Sequence, residues 1–395
     1  MSHLHISRTA EIPDELRVAR ARSTPGLGPR LLFFSGGSAL NGISRRLKAY
    51  THNSIHLMTP FDSGGSSQVL RRAFDMPAVG DLRSRLMALA DESDLGQPDI
   101  FALFTHRFPV GASRAKLERE FAALLDTTHP LMDAVSQPMR SLILSHLRAF
   151  AAHCPEGFDF AGASVGNLIL AGGYLTHDRA LEPVLFIMSK MVAVQGTVRS
   201  IIDSNLGLGA VLADGQTVQG QREITGKEVP PIGSPIRELF LTRDGVRLER
   251  NAVKLPKRNR RLIERADLIC YPPGSLFTSV IANLLPHGVG RSVAQRAVPK
   301  LYIPSLGADP ECLGMDLPDQ VTALLAALRA DAGQDCPADR LLTAVLCDKR
   351  GLRDADVRRI ANEHGLPCVG LNLCGGAAAA RYDPVRICEA LVSLV

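Results

Sequence analysis

Several short segments of this chain combine glycine and serine in a way that suits contact with phosphate. The first, SGGSALNG at residues 35–42, follows an apolar run and contains Gly36, Gly37, Ser38 and Asn41. Residues this small let main-chain N–H groups approach a phosphate closely, and the dipole of a following helix favours the anion. The segment is neither a P-loop nor a GxGxxG fingerprint. A tight strand-to-helix turn that needs glycine is the alternative interpretation.

A second segment, DSGGSS, begins with a carboxylate where the next apolar run ends. An aspartate at the end of a strand can hold Mg²⁺ that bridges phosphate oxygens, so Asp62 is the candidate metal ligand and a candidate catalytic residue. Helix capping is its alternative role. The rest of the segment supplies small residues and hydroxyls that can bind phosphate or cap the helix: Gly64, Gly65, Ser66 and Ser67.

Polar residues at three further predicted helix starts complete the candidate site. In GDLRSR, Asp81 precedes Arg83, whose planar guanidinium suits phosphate or carboxylate groups, and we assign Arg83 a catalytic role. Asn167 in GASVGN can contact a base, a sugar or metal-bound water. Gly274 and Ser275 in PPGSL expose N–H groups at a helix N-terminus, which favours an anion. Helix capping and solvated side chains are the alternatives at these positions. No serine lies in a GxSxG elbow, so covalent catalysis is not expected.

The spacing of apolar residues places these segments at one edge of a sheet. Apolar runs before the loops and helical spacing after them predict a parallel sheet whose loops converge on one crevice. The fold class is therefore α/β, a Rossmann-like three-layer parallel sheet with a helical insert and a small β-rich subdomain. We expect a flexible N-terminal arm over residues 1–28, the first part of the core over 29–190 with the helical insert at about 81–155, the β-rich subdomain over 191–250, and the second part of the core over 251–395.

Composition excludes several classes of protein. The chain has 395 residues and a formal charge of only +5, which is too small for a nucleic-acid-binding footprint. No apolar run approaches the ~18 residues that a membrane helix needs, and no secretory signal is expected. The eight cysteines form no CxxC pair, so we interpret them as reduced thiols rather than zinc ligands. We expect a soluble cytoplasmic protein without nucleic-acid or membrane partners. A homodimer is also expected.

Taken in order along the chain, the motifs resemble those of the CofD-like family, which includes 2-phospho-L-lactate transferases and gluconeogenesis-factor proteins thought to bind nucleotide sugars. The second group carries GGGTGL, DDGGSSGRLR, PPGDIR, GHSLGN and GPGSLYTS patterns, where this chain reads SGGSAL, DSGGSSQVLR, AVGDLRSRL, GASVGN and PPGSLFTS. The resemblance covers about residues 31–310. It implies a Rossmann-like fold with one crevice for a nucleotide diphosphate, and the transferase branch uses magnesium.

The chain departs from that pattern at three positions. Ser63 stands in place of a second aspartate, Gln68 in place of a glycine, and Ala163 in place of a histidine. Loss of a carboxylate weakens a metal site, and loss of the histidine removes a proton carrier. These departures favour a divergent branch with its own ligand.

Two hypotheses follow for the function. In the first, the chain is a Mg²⁺-dependent transferase that moves a phospho-acyl group, similar to 2-phospholactate, from a nucleotide diphosphate donor to an acceptor hydroxyl, with Asp62 holding the metal and Arg83 assisting. In the second, the chain is a non-catalytic nucleotide-sugar-binding regulator of the gluconeogenesis-factor type. A nicotinamide dehydrogenase is disfavoured because the chain lacks GxGxxG.

Overall fold

A computed structural model describes residues 9–93, 96–376 and 381–395, except for the side chain of Ser66. The strands in these ranges are β1 (Leu31–Ser35), β2 (Ile55–Met58), β3 (Thr197–Ser200), β4 (Gly207–Leu212), β5 (Thr217–Gln219), β6 (Ile236–Arg243), β7 (Val246–Arg247), β8 (Leu268–Tyr271), β9 (Lys300–Tyr302), β10 (Ala344–Asp348) and β11 (Cys368–Leu371).

The α-helices in the same ranges are α1 (Glu15–Ser23), α2 (Asn41–Leu47), α3 (Gly65–Phe74), α4 (Gly80–Leu89), α5 (Pro98–Thr105), α6 (Arg114–Leu125), α7 (Pro130–Ala134), α8 (Met139–His153), α9 (Val165–Thr176), α10 (Leu181–Met191), α11 (Gln221–Thr225), α12 (Lys257–Arg265), α13 (Val289–Gln295), α14 (Leu317–Ala332), α15 (Asp354–His364) and α16 (Pro384–Ser393). A π-helical turn covers Leu276–Val280, and 3₁₀ turns cover Pro25–Leu27, Arg250–Ala252, Ile281–Leu284, Pro310–Cys312 and Ala338–Arg340. None of the helices in the described ranges has both the length and the apolar character needed to cross a bilayer.

Strands from both halves of the chain form one parallel sheet. Its order in the described residues is β11-β10-β9-β8-β1-β2-β3, and every neighbouring pair is parallel. This confirms the predicted Rossmann-like α/β architecture. The chain leaves β1 toward β2 on one side and later returns with β8 on the other side. A topological switch point therefore lies between β1 and β8, and a crevice is expected beyond their carboxyl ends.

The alternation of side chains along β1 explains why the helical segments after β1 and β8 lie on opposite faces of the sheet. Successive side chains of a strand point to opposite faces of its sheet. Phe33 shares a buried core with Leu47 of α2, whereas Phe34 shares the core of the other face with Phe277, which follows β8. The helical segments after the two strands consequently lie on opposite faces, and the loops leading into them line the space between.

A helical unit with its own apolar core lies between β2 and β3. Helices α4 to α8 begin at Gly80 and end at His153, where the sequence predicted a helical insert. The core of this unit includes Phe104, Phe121 and Phe150. Helix α9 is buried over most of its length, and Asn167 near its N-terminus accepts a hydrogen bond from Arg83 of α4. The domain boundaries drawn from the sequence stay a prediction.

A small antiparallel sheet follows, in the order β5-β4-β6-β7 within the described residues. Leu208 and Leu241 of this sheet join the same core as Phe34 of the main sheet. Strand β3, which falls within the predicted β-rich subdomain of residues 191–250, instead pairs in parallel with β2, and Thr197 lies opposite Ile55. Strand pairing is a long-range property, so local sequence patterns do not show which sheet a strand joins.

The N-terminal region differs from the flexible arm expected over residues 1–28. Residues 15–23 form α1, with Val18 and Ala21 buried in the same core as α16. The Asp14 N–H donates to Ser393 Oγ at 2.8 Å, which fixes the start of this helix against the chain's last helix. The charged sequence around the two buried residues concealed this contact. Residues 1–8 of the predicted arm lie outside the described residues.

Candidate functional site

The loops after β1, β2 and β8 meet at the carboxyl ends of these strands. A cavity of about 280 Å³ opens between them. The residues that line it are Gly37, Ser38, Ala39, Thr59, Asp62, Asp81, Gln221, Lys227, Ser275, Thr278 and Ser279. The structure therefore brings segments that are distant in the sequence together in one crevice, which we call the central cavity.

The first loop passes its neighbours at a distance that only glycine permits. A Cβ built on Gly36 would lie 2.7 Å from Thr59 Oγ1 and 2.9 Å from Ser279 Oγ. Gly36 is thus required for packing between the three loops. The next amide is not available to a ligand in this conformation, because the Gly37 N–H donates to Asp81 Oδ2 at 2.8 Å. The sequence had suggested that this amide would contact phosphate.

A fully buried arginine, Arg85, supports the first loop from behind. Its guanidinium donates to the Gly37 carbonyl at 3.1 Å and to Asn41 Oδ1 at 3.0 Å, and it lies 3.0 Å from His56 Nδ1. Burial lowers the pKa of Arg85 to about 10, and burial and then the Arg85 charge lower the pKa of His56 well below its usual range. His56 is therefore a neutral acceptor. Asn41 also donates to Ser84 Oγ at 2.8 Å, so its side chain joins the loop to α4.

Two carboxylates, Asp62 and Asp81, line the central cavity together. Asp62 Oδ1 accepts the Gly64 N–H at 3.0 Å, and Asp81 Oδ2 accepts the Gly37 N–H. Burial, and secondly the negative charge of Asp62, raise the pKa of Asp81 from 3.8 to about 6, against the opposing effects of the Gly37 N–H and Arg85. The carboxylates are thus close enough to repel each other, and a cation between them would relieve that repulsion.

The remaining oxygens of this pair are candidate ligands for a hard divalent cation. Asp62 Oδ2 and Asp81 Oδ1 have no hydrogen-bond donor among the described residues. Mg²⁺ prefers oxygen ligands and is commonly held by one or two carboxylates together with phosphate oxygens. The sequence named Asp62 alone as a metal ligand, and the geometry adds Asp81 to the candidate set.

Arg83 and Asn167, both predicted to contact a ligand, contact each other. Arg83 Nε donates to Asn167 Oδ1 at 2.9 Å, and an Arg83 Nη donates to the Phe104 carbonyl at 3.4 Å. Both side chains are buried, and neither lines the central cavity. Burial, and then the positive charge of Arg107, lower the pKa of Arg83 to about 10. The structure shows Arg83 joining α4 to α9, and its catalytic role stays a prediction.

The second loop is held against α4 by another close approach. A Cβ on Gly80 would lie 2.7 Å from Ser67 Oγ and 3.7 Å from Asp62 Oδ2. Ser67 is buried by this contact. Gly64 and Gly65 lie at the start of α3, outside the set that lines the central cavity. The Ser66 side chain is outside the described part of the structure, so its contact with a ligand stays a prediction.

The helical turn after β8 is already capped by carboxylates of this chain. The N–H groups of residues 276–278 donate to Asp309 or Glu311 at 2.8 to 3.0 Å. Glu311 is completely buried, and burial followed by the charge of Asp309 raises its pKa. The anion site expected at this helix start is therefore largely filled from within the protein.

Three main-chain donors at the central cavity keep no acceptor. Among the described residues, no hydrogen-bond acceptor is placed for the N–H groups of Ser38, Ala39 and Ser275. The neighbouring Gly274 N–H, predicted to bind the ligand, donates to Ser305 Oγ at 3.0 Å. The free donors thus come from the loops after β1 and β8, on the two sides of the switch point.

Sequence reasoning missed the segment 221–228, which forms another wall of the central cavity. Gln221 and Lys227 line the cavity, and Lys227 Nζ donates to Ser275 Oγ at 2.9 Å. The Arg222 N–H donates to Ser63 Oγ at 2.9 Å. The only local signal is a lysine in the turn TGKEVPP, which is too common a pattern to indicate a ligand contact.

One larger cavity adjoins the central cavity, and another larger cavity adjoins that one. A cavity of about 540 Å³ shares Ser38 and Ala39 with it and is also lined by Arg381 and Tyr382. A cavity of about 570 Å³ shares Gly274 and Ser305 with this second cavity, and its lining also includes Ile232, Leu276 and Met315. A ligand seated in the central cavity therefore has room for a substituent in the cavity that shares Ser38 and Ala39 with it.

A cluster outside the cavity also has a set of metal-ligating atoms. In the described ranges, His106, Glu120 and His129 place such atoms within 4.8 Å of one another. Hydrogen bonds account for this arrangement: His106 Nε2 lies 2.7 Å from Glu120 Oε1, and His129 Nδ1 accepts the Leu131 N–H at 3.2 Å. The second bond places the proton of neutral His129 on Nε2, the atom that a metal would need. We assign the cluster to the packing and capping of α6 and α7.

Comparison with known proteins agrees with these motifs. The family model described as 2-phospho-L-lactate transferase CofD matches residues 31–370. A putative gluconeogenesis factor from Nostoc sp. is 30% identical over 342 residues, which cover 86% of this chain and 59% of that relative. The gluconeogenesis factor of Bacillus subtilis is 30% identical over 301 residues, which cover 76% of this chain and 75% of that relative. The chain thus spans less than two thirds of the Nostoc relative.

A crystal structure of a UPF0052-family protein from Bacillus halodurans has the same fold, with a TM-score of 0.65, 23% identity, and coverage of 92% of this chain and 99% of that chain. With the family model extending over most of its length and its motifs meeting at one crevice, this chain belongs to the CofD family.

Proposed function

We propose that the chain binds a nucleoside diphosphate compound, with the diphosphate in the central cavity. The observation that carries the proposal is that the N–H groups of Ser38, Ala39 and Ser275 have no acceptor among the described residues, while these residues line one cavity together with Lys227. Main-chain amides grouped in this way are a common means of binding phosphate oxygens. The adjoining cavity of about 540 Å³, which is continued by one of about 570 Å³, offers space for a group attached to the diphosphate.

Mg²⁺ is part of this proposal, with Asp62 and Asp81 as its protein ligands. Each carboxylate has one oxygen engaged by a main-chain N–H and one oxygen without a donor in the described chain. When bound, Mg²⁺ would neutralise charge on both the carboxylates and the diphosphate. Because two carboxylates alone repel an anion, we expect the ligand and Mg²⁺ to bind cooperatively.

We infer that this binding serves a regulatory role of the gluconeogenesis-factor type. The described residues lining the central cavity include carboxylates, hydroxyls and one lysine but no histidine, and Arg83 is buried against Asn167. The names of the relatives from Nostoc sp. and Bacillus subtilis favour the same role. Mg²⁺-dependent phospho-acyl transfer is the second candidate, favoured by the family description and by the Asp62–Asp81 pair. The homodimer stays a prediction.

Calorimetric titration of the purified chain with GDP and UDP, with and without Mg²⁺, tests the binding. We expect Mg²⁺ to tighten binding of at least one nucleotide, and Asp62→Asn to weaken the Mg²⁺-dependent binding about 10-fold or more, roughly 1.4 kcal/mol. The introduced asparagine retains an acceptor for the Gly64 N–H, so the loop should stay folded. Asp335→Asn removes one exposed carboxylate that has no hydrogen bond in the described structure and is the charge-matched control. Equal affinity with and without Mg²⁺ would contradict the metal assignment, and no binding of either nucleotide would contradict the proposal as a whole.

Release of nucleoside monophosphate distinguishes the two roles. Transfer of a phospho-acyl group from a nucleoside diphosphate donor to a hydroxyl leaves the monophosphate as the second product. Incubation of a bound donor with Mg²⁺ and hydroxyl acceptors, followed by chromatography, should show the donor intact if the chain is a regulator. Stoichiometric release above the Asp62→Asn background would instead establish the transferase.

A further inference from the structure

The central cavity is closed on one side by the small antiparallel sheet unit. Helix α11 and the turn after it, residues 221–228, lie between the loop that follows β2 and the loop that follows β8. This segment comes from the part of the chain in which the sequence showed no binding motif. Its contribution to the cavity therefore needs a separate explanation.

Lys227 supplies the positive charge at this cavity. Among the described residues that line the cavity, Lys227 is the one with a cationic side chain. Carboxylates lie on several sides: Asp62 and Asp81 line the cavity, and Asp309 and Glu311 cap the helical turn beside it. A dianionic ligand brought here without Lys227 would meet mainly like charge from side chains, which is unfavourable in a confined site.

Lys227 is also placed where the free amides are. Its Nζ donates to Ser275 Oγ at 2.9 Å, and the main-chain N–H of the same serine has no acceptor among the described residues. A serine hydroxyl is a neutral acceptor, whereas a phosphate oxygen carries negative charge, so the Lys227 ammonium is attracted more strongly to phosphate. An anionic ligand that accepts from Ser275 N–H would thus displace the hydroxyl as the partner of Lys227.

Contacts between Ser63 and α11 hold Lys227 in this position. Ser63 Oγ accepts the Arg222 N–H at 2.9 Å, and the Ser63 N–H lies 3.5 Å from Gln221 Oε1. Arg222 Nε in turn lies 3.2 Å from Glu228 Oε2, the residue after Lys227. Ser63, which looked in the sequence like a lost metal ligand, instead joins the second loop to the segment that carries Lys227. An aspartate at this position would offer the same kind of acceptor.

We propose that Lys227 is a ligand-binding residue that selects for the diphosphate, and that Ser63 is a positioning residue that holds the Lys227 segment over the cavity. The inference rests on the proposed function, since it names a further contact of the same ligand. It assigns to the small antiparallel sheet unit a part in binding that neither the loop motifs nor the family description attributes to it.

Calorimetric titration of Lys227→Ala with UDP, GDP and the parent nucleosides in Mg²⁺ tests this assignment. We expect Kd for the nucleotide that binds the wild type to rise about 10-fold or more, because a charge-assisted contact to phosphate is lost. Affinity for the uncharged nucleoside should not change. Lys227→Arg should recover most of the nucleotide affinity because it restores the charge. Lys116→Ala, an exposed lysine on α6, removes the same net charge elsewhere and should leave Kd unchanged.

Ser63 is tested by pairing two substitutions. Ser63→Ala should raise the nucleotide Kd by a smaller factor than Lys227→Ala, and Ser63→Asp should restore it, because aspartate can again accept the Arg222 N–H. In the Lys227→Ala background, Ser63→Ala should add little, since the two changes act on one contact. Additive effects would overturn the positioning role.

The outcomes separate this inference from the function on which it rests. If the wild type binds the nucleotide but Lys227→Ala leaves Kd unchanged, the role of Lys227 is overturned and the proposed function stays intact. The same holds if Lys116→Ala loses as much nucleotide affinity as Lys227→Ala. A loss that Lys227→Arg does not repair would show that charge is not the cause and would also overturn it. Absence of nucleotide binding by the wild type would overturn both.

Discussion

Replacing Asp81 by asparagine should stabilise the fold at pH 8 while removing Mg²⁺-dependent binding. Asp81 is a half-buried carboxylate whose pKa is raised from 3.8 to about 6 by burial and by the charge of Asp62. Asparagine keeps an acceptor oxygen for the Gly37 N–H, which Asp81 Oδ2 now accepts at 2.8 Å. The substitution therefore removes a charge and preserves a hydrogen bond.

The direction of the pH effect follows from the raised pKa. The folded state binds the Asp81 proton more tightly than the unfolded chain does, so the wild type loses stability as the pH rises from about 4 through about 6. A shift of about 2 pKa units corresponds to roughly 3 kcal/mol, and partial exposure to water reduces this to about 1 to 2 kcal/mol. Asparagine does not titrate and avoids this loss.

Urea unfolding at a series of pH values measures the effect. We expect the unfolding midpoint of Asp81→Asn to exceed that of the wild type at pH 7 to 8, and the difference to shrink toward pH 4. Asp335→Asn, on the exposed surface, serves as the control for general pH effects. Titration with nucleotide should show loss of the Mg²⁺ dependence in Asp81→Asn. A variant that is less stable than the wild type at pH 8 would refute the reasoning, because it would show that the carboxylate is stabilised by its surroundings.

Two further pairs of substitutions test the packing of the loops, and urea unfolding is the measurement for both pairs. Gly36→Ala should cost about 1 to 3 kcal/mol because its Cβ would lie 2.7 Å from Thr59 Oγ1, whereas Gly42→Ala, with its nearest neighbouring atom at 3.8 Å, should be neutral or stabilising. Glu311→Ala should cost about 2 to 4 kcal/mol because it leaves the buried N–H groups of residues 277–278 without an acceptor, and Glu311→Gln should cost less. Equal stability of the two glycine variants, or of the two Glu311 variants, would contradict these assignments.

The position of the candidate site was predictable from local sequence patterns. Apolar runs followed by small residues and then by helical spacing identified strand, loop and helix around Gly36, Asp62 and Gly274, because buried strands and tight turns restrict residue types locally. Parallel strands place such loops at the same edge of the sheet, which is why one crevice followed from the pattern.

The roles of the individual polar residues were less predictable. Arg83 and Arg85 are two residues apart on α4, and the sequence offers no reason to prefer one of them as a loop support. In the structure Arg83 contacts Asn167, whereas Arg85 contacts the Gly37 carbonyl from a fully buried position. On a helix, residues two apart point in different directions, so each arginine meets a different neighbour.

The amino-acid sequence by itself determined the α/β architecture, the family and the loops that form the crevice, because these depend on periodicity and on residue size over short stretches. Only the tertiary structure decided which donors remain for a ligand. The Gly37 N–H donates to Asp81, and the N–H groups of the turn after β8 donate to Asp309 and Glu311. The N–H groups of Ser38, Ala39 and Ser275 have no acceptor within the described part of the chain, and Lys227 comes from the small sheet unit. Hydrogen-bond partners of this kind lie far apart in the chain, and folding alone brings them within bonding distance.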